Sequence, residues 1–336
     1  MLILEIEDIK KIVQIHGYKN FFLELLNILE EDYSSWDSFD KSARLANHVK
    51  DGVIELMPIS NNKFYSFKYV NGHPKNPLNN KFTVMATGQL SLVKTGEPLM
   101  FSEMTLLTAL RTATTSLLAA KYLAKKESKV LTLIGTGAQS EFQYLAFSFY
   151  FDIKEVRFYD IDPNAMKKFH KNISSYDVKL SPCKSSAEAI KNADIITTIT
   201  ADKSNQIILD SKMVKEPVFI NAIGGDCPGK TELSFDLLKK STIVVEYLAQ
   251  SKIEGEIQQF DDNFTCTQLY EVINKQKSIN VTTDGIVVFD SVGFALEDYS
   301  ILRFIYQLAI KYSIGKEMSL IPDIKDVKDL FSLIKE

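Results

Sequence analysis

The sequence predicts an α/β protein in which a doubly wound parallel sheet is joined to a smaller α+β unit. Three observations carry that expectation. From about Leu106 onward, short and wholly apolar strand patterns alternate with helical ones, as in a parallel sheet covered on both faces. Before that point the strand patterns alternate apolar with polar residues and are divided by turn-rich text, which suits an antiparallel sheet. Glycine turns, Gly135-Thr136-Gly137 and Gly224-Gly225, close two of the apolar strands, and strand ends of that kind hold ligands in open α/β sheets.

Bulk properties narrow the functional classes. The 336 residues are long for one core and comfortable for two domains. A hydrophobic content of 45% and a charged content of 24% are those of an ordinary soluble protein. A net charge of −4 and a pI near 5.7 give no general attraction to nucleic acid or to an anionic membrane. No stretch approaches the ~20 apolar residues of a membrane span, and the opening Met1-Leu2-Ile3-Leu4-Glu5 lacks the basic region of a signal peptide. The three cysteines, Cys183, Cys227 and Cys266, are widely spaced, and the four histidines, His16, His48, His73 and His170, show no ligand spacing. Neither a disulfide framework nor a metal site is expected. A reducing, cytoplasmic setting is the corresponding expectation.

In chain order, Ile6 to Leu29 carries apolar residues at helical spacing, notably Ile12, Ile15, Phe22, Leu25, Leu26 and Leu29. Strand-like runs follow at Gly52–Met57, Phe64–Val70 and Val84–Ser91, parted by turn text such as Asn71-Gly72-His73-Pro74. Leu106 to Lys126, rich in Ala, Leu and Thr, reads as a long helix. Strands are expected at Val130–Ile134, Val156–Tyr159, Ile195–Thr198, Val218–Ala222, Ile243–Val245 and Ile286–Phe289, with a helix from Ala138 to Tyr150 after the first of them. A last helical pattern, Tyr299 to Tyr312, and the tail beyond it return to the first unit.

The run Leu131-Thr132-Leu133-Ile134-Gly135-Thr136-Gly137-Ala138-Gln139-Ser140 is strand, turn and helix start in one line. Gly135 permits the tight turn, Gly137 lets backbone approach a pyrophosphate, and the helix N-terminus presents N–H groups to phosphate charge. Ser140 stands where the usual dinucleotide fingerprint has a third glycine. The next strand ends at Asp160, where an acid can accept hydrogen bonds from ribose hydroxyls and repel a 2′-phosphate, favouring NAD over NADP. The plainer alternative is a structural strand–turn–helix with a surface aspartate.

The second glycine turn reads Gly224-Gly225-Asp226-Cys227-Pro228-Gly229-Lys230 and presents one carboxylate and one amine. In a cleft, Asp226 could pass a proton to or from a substrate amine; a loop aspartate bonding its own backbone is equally ordinary. Lys68 interrupts an otherwise aromatic strand and Arg111 a mostly apolar helix, and Arg44 lies in Ala43-Arg44-Leu45. Such cations have anionic partners. Those partners are either internal carboxylates or a ligand carboxylate, which arginine can take in a bidentate fork.

Together these pieces resemble the ornithine cyclodeaminase/μ-crystallin family. Ile54-Glu55-Leu56-Met57-Pro58, Ser102-Glu103-Met104-Thr105, Arg111-Thr112-Ala113-Thr114-Thr115-Ser116, the Gly135–Gln143 run and Phe289-Asp290-Ser291-Val292-Gly293-Phe294-Ala295 follow its pattern in order and span essentially the whole chain. The Asp226 loop is most like the ornithine cyclodeaminase branch. One stretch departs: Thr87-Gly88-Gln89-Leu90-Ser91 is more polar than the family pattern. The resemblance implies a Rossmann-type NAD-binding domain over 114–314. It also implies a substrate-binding and dimerisation domain over 1–113 and 315–336, with a homodimer formed through the sheet of the latter.

The same resemblance implies a redox-neutral reaction in which ornithine is oxidised to an imine, cyclises with loss of ammonia, and is reduced to proline on one bound NAD. Arg44, Lys68 and Arg111 match positions that hold the amino acid, Asp226 the general acid/base, Glu55 a position near the δ-ammonium, and Val292 one beside the substrate. For NAD, matching positions are Thr83, Arg111, Gly135, Gly137, Ala138, Gln139, Asp160, Thr200, Lys230 and Ser291, with Ala222 and Gly224 at the strand end expected beside it. Within the family the alternatives are an imine reductase, an amino-acid dehydrogenase, a lysine cyclodeaminase and a non-catalytic crystallin-like binder.

Overall fold

A computed structural model describes residues 1–201 and 206–335. The expected domain extents cross 202–205 and run to 336, and those positions lie outside the described residues. The fold is α/β, with a Rossmann-type parallel sheet and a smaller α+β unit.

The smaller unit is built on strands β1 (Leu2–Leu4), β2 (Asp40–Lys41), β3 (Leu45–Val49), β4 (Gly52–Ser60), β5 (Phe64–Gly72), β6 (Ala86–Leu92) and β7 (Pro98–Glu103). The second sheet comprises β8 (Val130–Ile134), β9 (Glu155–Tyr159), β10 (Lys179–Pro182), β11 (Ile195–Thr198), β12 (Val218–Ala222), β13 (Thr242–Val245), β14 (Thr267–Gln268) and β15 (Ile286–Asp290). The chain then returns as β16 (Lys316–Glu317) to the first sheet, whose order is β16-β1-β7-β6-β5-β4-β2 with β3 also on β4. Its pairs are antiparallel except β1 with β7.

Strand alternation decides what the first sheet offers the site. In β4 the buried face carries Val53, Glu55, Met57 and Ile59, and in β5 it carries Ser66, Lys68 and Val70. Glu55 pairs with Val70 and Met57 with Lys68, so an acid and an amine stand on one apolar face. Charges placed there need partners: Glu55 has Arg44 from the same unit, and Lys68 has Asp298 from the second half of the chain. The helices Tyr18–Ser34, Thr105–Leu123 and Ala295–Tyr312 pack on this unit. Because the last of them covers β4 and β5, we propose dividing the chain near 294 rather than at 314.

The second sheet runs β10-β9-β8-β11-β12-β15-β13-β14, with every pair parallel. Its central strands β11, β12 and β15 are buried on both faces. Phe219 enters one core while Val218 and Ile220 enter the other, and Phe289 and Val288 divide in the same way. Each such side chain stabilises by about 1.5–3 kcal/mol on burial. Ile134, Tyr159, Thr198, Ala222 and Asp290 are linked by register along one carboxyl edge. Strand order reverses between β8 and β11, which opens a crevice above that edge.

Several details differ from the sequence expectation. The Ile6–Leu29 pattern is two helices, Ile6–His16 and Tyr18–Ser34, broken at Gly17. Within the first helix the buried face is Ile9, Ile12, Val13 and His16, and Ile15 falls off that face and is exposed. Strands β1, β2, β3, β7, β10, β14 and β16 were not expected; β1, β2, β14 and β16 span only two or three residues, and β10 is an edge strand. No helix among the described residues is long and apolar enough to cross a membrane.

Candidate active site

A cavity of about 280 Å³ lies between the two sheets. From the smaller unit and the helix after it come Arg44, Glu55, Lys68, Thr83 and Arg111. From the carboxyl edge of the parallel sheet come Gly137, Ala138, Gln139, Thr200, Gly224, Asp226, Lys230, Ser291 and Val292. Three expected residues do not line it. Gly135 packs beneath the turn, Asp160 stands on the turn's far side, and Ala222 is buried in β12, where its carbonyl takes the Ser291 N–H at 2.9 Å.

The glycine turn has the shape a dinucleotide needs. Gly135 has φ +104, and a Cβ there would meet the Ile199 carbonyl oxygen at 2.6 Å, so only glycine closes the turn against β11. At Gly137 nothing stands within 4 Å of a would-be Cβ, leaving its backbone open to a ligand. The helix Ser140–Tyr150 begins just beyond, and Gln139 Oε1 is buried without a hydrogen-bond partner. Asp160 Oδ2 accepts from Thr136 N at 2.6 Å and Thr136 Oγ at 3.0 Å, and Oδ1 accepts from Asp162 N at 2.9 Å. That carboxylate therefore ties the end of β9 to the turn.

The three cations satisfy both readings left open by the sequence: they line the crevice, and each sits in an internal ion pair. Arg44 Nη1 donates to Glu55 Oε2 at 3.0 Å, Nη2 to the carbonyls of Val292 and Gly293 at 2.6 Å each, and Nε lies 3.0 Å from Glu254 Oε2. Lys68 Nζ lies 2.8 Å from Asp298 Oδ2. Arg111 pairs with Glu297 through Nη1 and with Asp298 through Nε at 3.0 Å. Burial opposes charge on Arg111, but Asp298 and Glu297 outweigh it and raise its pKa above the usual arginine value. Lys68 has less support: burial and then Arg111 bring it down to about 8.

Beneath these cations lies a pair of buried acids. Glu246 accepts from Ser291 Oγ at 2.5 Å and from the N–H groups of Val292 and Gly293 at 2.9 Å each, fixing the turn that faces the crevice. Gly293 has φ +77, and a Cβ there would press on Arg111 Nη1 at 2.8 Å. Burial pushes Glu297 well above the ordinary carboxyl range, and neighbouring Glu246 pushes the same way. Burial raises Glu246 as well, so both acids are pushed toward their neutral forms.

Across the crevice, Asp226 is half exposed at the rim, with Lys230 Nζ 3.4 Å from its Oδ1. Lys230 is buried and also donates to the Thr200 carbonyl at 2.9 Å. Burial disfavours its charge, yet Asp226 and Glu232 raise its pKa. Glu232 accepts from Thr200 N at 2.9 Å, coupling the turns after β11 and β12.

Sequence reasoning missed Glu246, Glu254, Glu297, Asp298 and Gln250, whose Nε2 donates to Gly293 O at 2.7 Å. The usable signal was the unexplained cations, each of which required an acid somewhere. Glu254 is raised to about 7 by burial, against the pull of Arg44. A carboxyl raised on folding stabilises fully below its unfolded value of 4.5 and loses that contribution as pH rises through about 7. Stability against urea is therefore expected to fall between roughly pH 5 and 8 more steeply in the wild type than in Glu254→Gln; parallel curves would refute this. Lys68, lowered from 10.5 to about 8, acts with the opposite sign above that window.

The sequence model of the ornithine cyclodeaminase/mu-crystallin family matches residues 6–312. An ornithine cyclodeaminase of Agrobacterium fabrum is 46% identical over 331 residues, covering 98% of this chain and 94% of that one. Among solved structures, a lysine cyclodeaminase described with recognition of L-lysine, L-ornithine and L-2,4-diaminobutyric acid superposes with a TM-score of 0.93 at 27% identity, covering 99% of each chain. An archaeal alanine dehydrogenase dimer with bound NAD gives 0.88 at 32% identity, covering 96% of this chain and 99% of that one.

Proposed function

This chain belongs to the ornithine cyclodeaminase/mu-crystallin family, and from that premise we propose that it is an NAD-dependent ornithine cyclodeaminase, converting L-ornithine to L-proline with release of ammonia. The observation that carries the reading is the opposition, across one crevice, of the Asp226–Lys230 turn and the Arg44, Lys68 and Arg111 cluster. One side offers a proton acceptor to amines. The other offers donors to an α-carboxylate.

NAD is the cofactor of this proposal, held by the turn at Gly135–Gly137, by Ala138 and Gln139, and by Thr83, Arg111, Thr200, Gly224, Lys230 and Ser291 around the cavity. When bound, it supplies the oxidation of the substrate α-carbon and, after ring closure, its reduction. Between those events the δ-nitrogen bonds to the α-carbon and the α-nitrogen leaves as ammonia. One proton must leave the entering nitrogen and one must reach the departing nitrogen. Asp226, at the rim with Lys230 beside it, serves both transfers. Arg44 spends its donors on Glu55, Glu254 and two carbonyls. The substrate carboxylate therefore falls mainly to Arg111 and Lys68, with Glu55 left to face the δ-ammonium and Val292 to border the carbon chain. A homodimer through the first sheet and a cytoplasmic setting complete the proposal.

With ornithine and catalytic NAD⁺, proline and ammonia are expected in equal amounts without net NADH. Net NADH, or turnover of lysine but not ornithine, would overturn the assignment in favour of a dehydrogenase or a lysine cyclodeaminase. For the choice of nucleotide, Asp160→Ala is expected to raise KM for NAD⁺ roughly 10- to 100-fold, as for loss of a charged hydrogen bond. It should also narrow the preference over NADP⁺, and an unchanged ratio of kcat/KM for the two cofactors would count against a ribose contact.

A further inference from the structure

The segment after the helix Leu248–Glu254 gave no functional signal in the sequence, yet it braces the turn that carries Asp226 and Lys230. Gln258 Oε1 accepts from Gly229 N at 2.7 Å. Its Nε2 lies 3.3 Å from Cys227 O, 3.1 Å from Lys230 O and 2.8 Å from Gly255 O. An amide has two N–H groups, so these three acceptors share them, one acceptor being its own backbone anchor. The side chain thus grips the turn at both ends and in the middle. Glu256, two residues earlier, accepts from Glu232 N at 2.7 Å and Leu233 N at 3.0 Å, just past the same turn. Gly225 lies so close that a Cβ would meet Glu256 Oε1 at 2.5 Å.

The carboxylate itself has little else to hold it. Asp226 has a side-chain exposure of 55%, and its hydrogen-bond partner among the described residues is Lys230 at 3.4 Å, a long contact. Its position is therefore set by the backbone of the turn rather than by its own side-chain bonds. A reacting group displaced by about 1 Å can cost on the order of 10²-fold in rate.

We propose that Gln258 is a positioning residue for the candidate acid/base, fixing the 226–230 turn so that Asp226 and Lys230 face the crevice together; the kinetic part rests on the ornithine cyclodeaminase reading. Gln258→Met keeps the volume and removes every hydrogen bond, and Gln258→Glu keeps an acceptor for Gly229 and removes the donors. Full-length wild type and both variants are compared by ornithine turnover, cofactor titration, thermal unfolding and amide hydrogen exchange. Gln258→Met is expected to lower kcat roughly 10- to 100-fold with KM for ornithine within about threefold of wild type, and Gln258→Glu to fall between them. Exchange should quicken in peptides covering 224–233 and stay unchanged in β8 and β15. Wild-type kcat and wild-type exchange in Gln258→Met would overturn the proposal, as would exchange that quickens throughout the chain. If the wild type makes no proline from ornithine, the functional reading fails while the exchange comparison still decides the role of Gln258.

Discussion

Asp226→Asn is expected to lower kcat for proline formation by about 10²–10⁴-fold, the range supplied by general acid/base catalysis. The substitution keeps the shape and the turn but removes the group that accepts and returns a proton at the exchanging nitrogens. Because Asp226 lies at the rim, half exposed, with Lys230 as its partner, the folded state should lose little. The midpoint of urea unfolding is therefore expected to stay near the wild-type value. NAD⁺ binding, followed by quenching of protein fluorescence, should also persist. Turnover within threefold of wild type would remove Asp226 from the chemistry and, with it, the proposed reaction.

Arg111→Met is expected to be costly in a different way, lowering folding stability by about 3–5 kcal/mol, as when one member of a buried ion pair is removed. Arg111 is buried and serves Glu297 and Asp298 together, so its loss leaves buried Glu297 without its cation and Asp298 with Lys68 alone. The deficit should narrow as pH falls. Protonating Glu297, which burial already pushes up, removes unpaired charge. Urea unfolding at neutral and acid pH reads both effects, and a neutral-pH loss below about 1 kcal/mol would show that the acids discharge at little cost. Arg111→Lys restores one charge but cannot reach Glu297 and Asp298 as a guanidinium does, so it should recover only part of the loss.

The framework of the parallel sheet was legible because its signals are local. A continuous apolar run, a glycine turn and an acid one strand later occupy adjacent text, and the structure joins them through the Thr136–Asp160 bonds. The cation cluster was half legible. Lys68 and Arg111 stood out because charge in an apolar pattern is costly, but nothing in the pattern said which acids answer them. Glu297 and Asp298 fall in the first turn of a helix, where acids are ordinary because the helix dipole favours them. Their burial depends on how that helix docks on the first sheet, which is a long-range fact. Gln258 was invisible for a similar reason. A glutamine near a chain bend is common, and only the folded turn reveals that four polar atoms converge on it. The helix break at Gly17 was misread because apolar spacing resumes on the far side with a changed phase.

The acids that answer Lys68 and Arg111 lie on the helix that covers the first sheet, whereas Arg44 of that unit is answered by Glu254 and the carbonyls of Val292 and Gly293, from the other. Neither layer is electrically complete by itself. Melting the first would leave Glu254 without its cation; melting the second would strip Arg44 of that acid and of the two carbonyls it grips. Charge neutrality is thus shared across the seam, and it couples two architecturally separate layers into one cooperative folding unit.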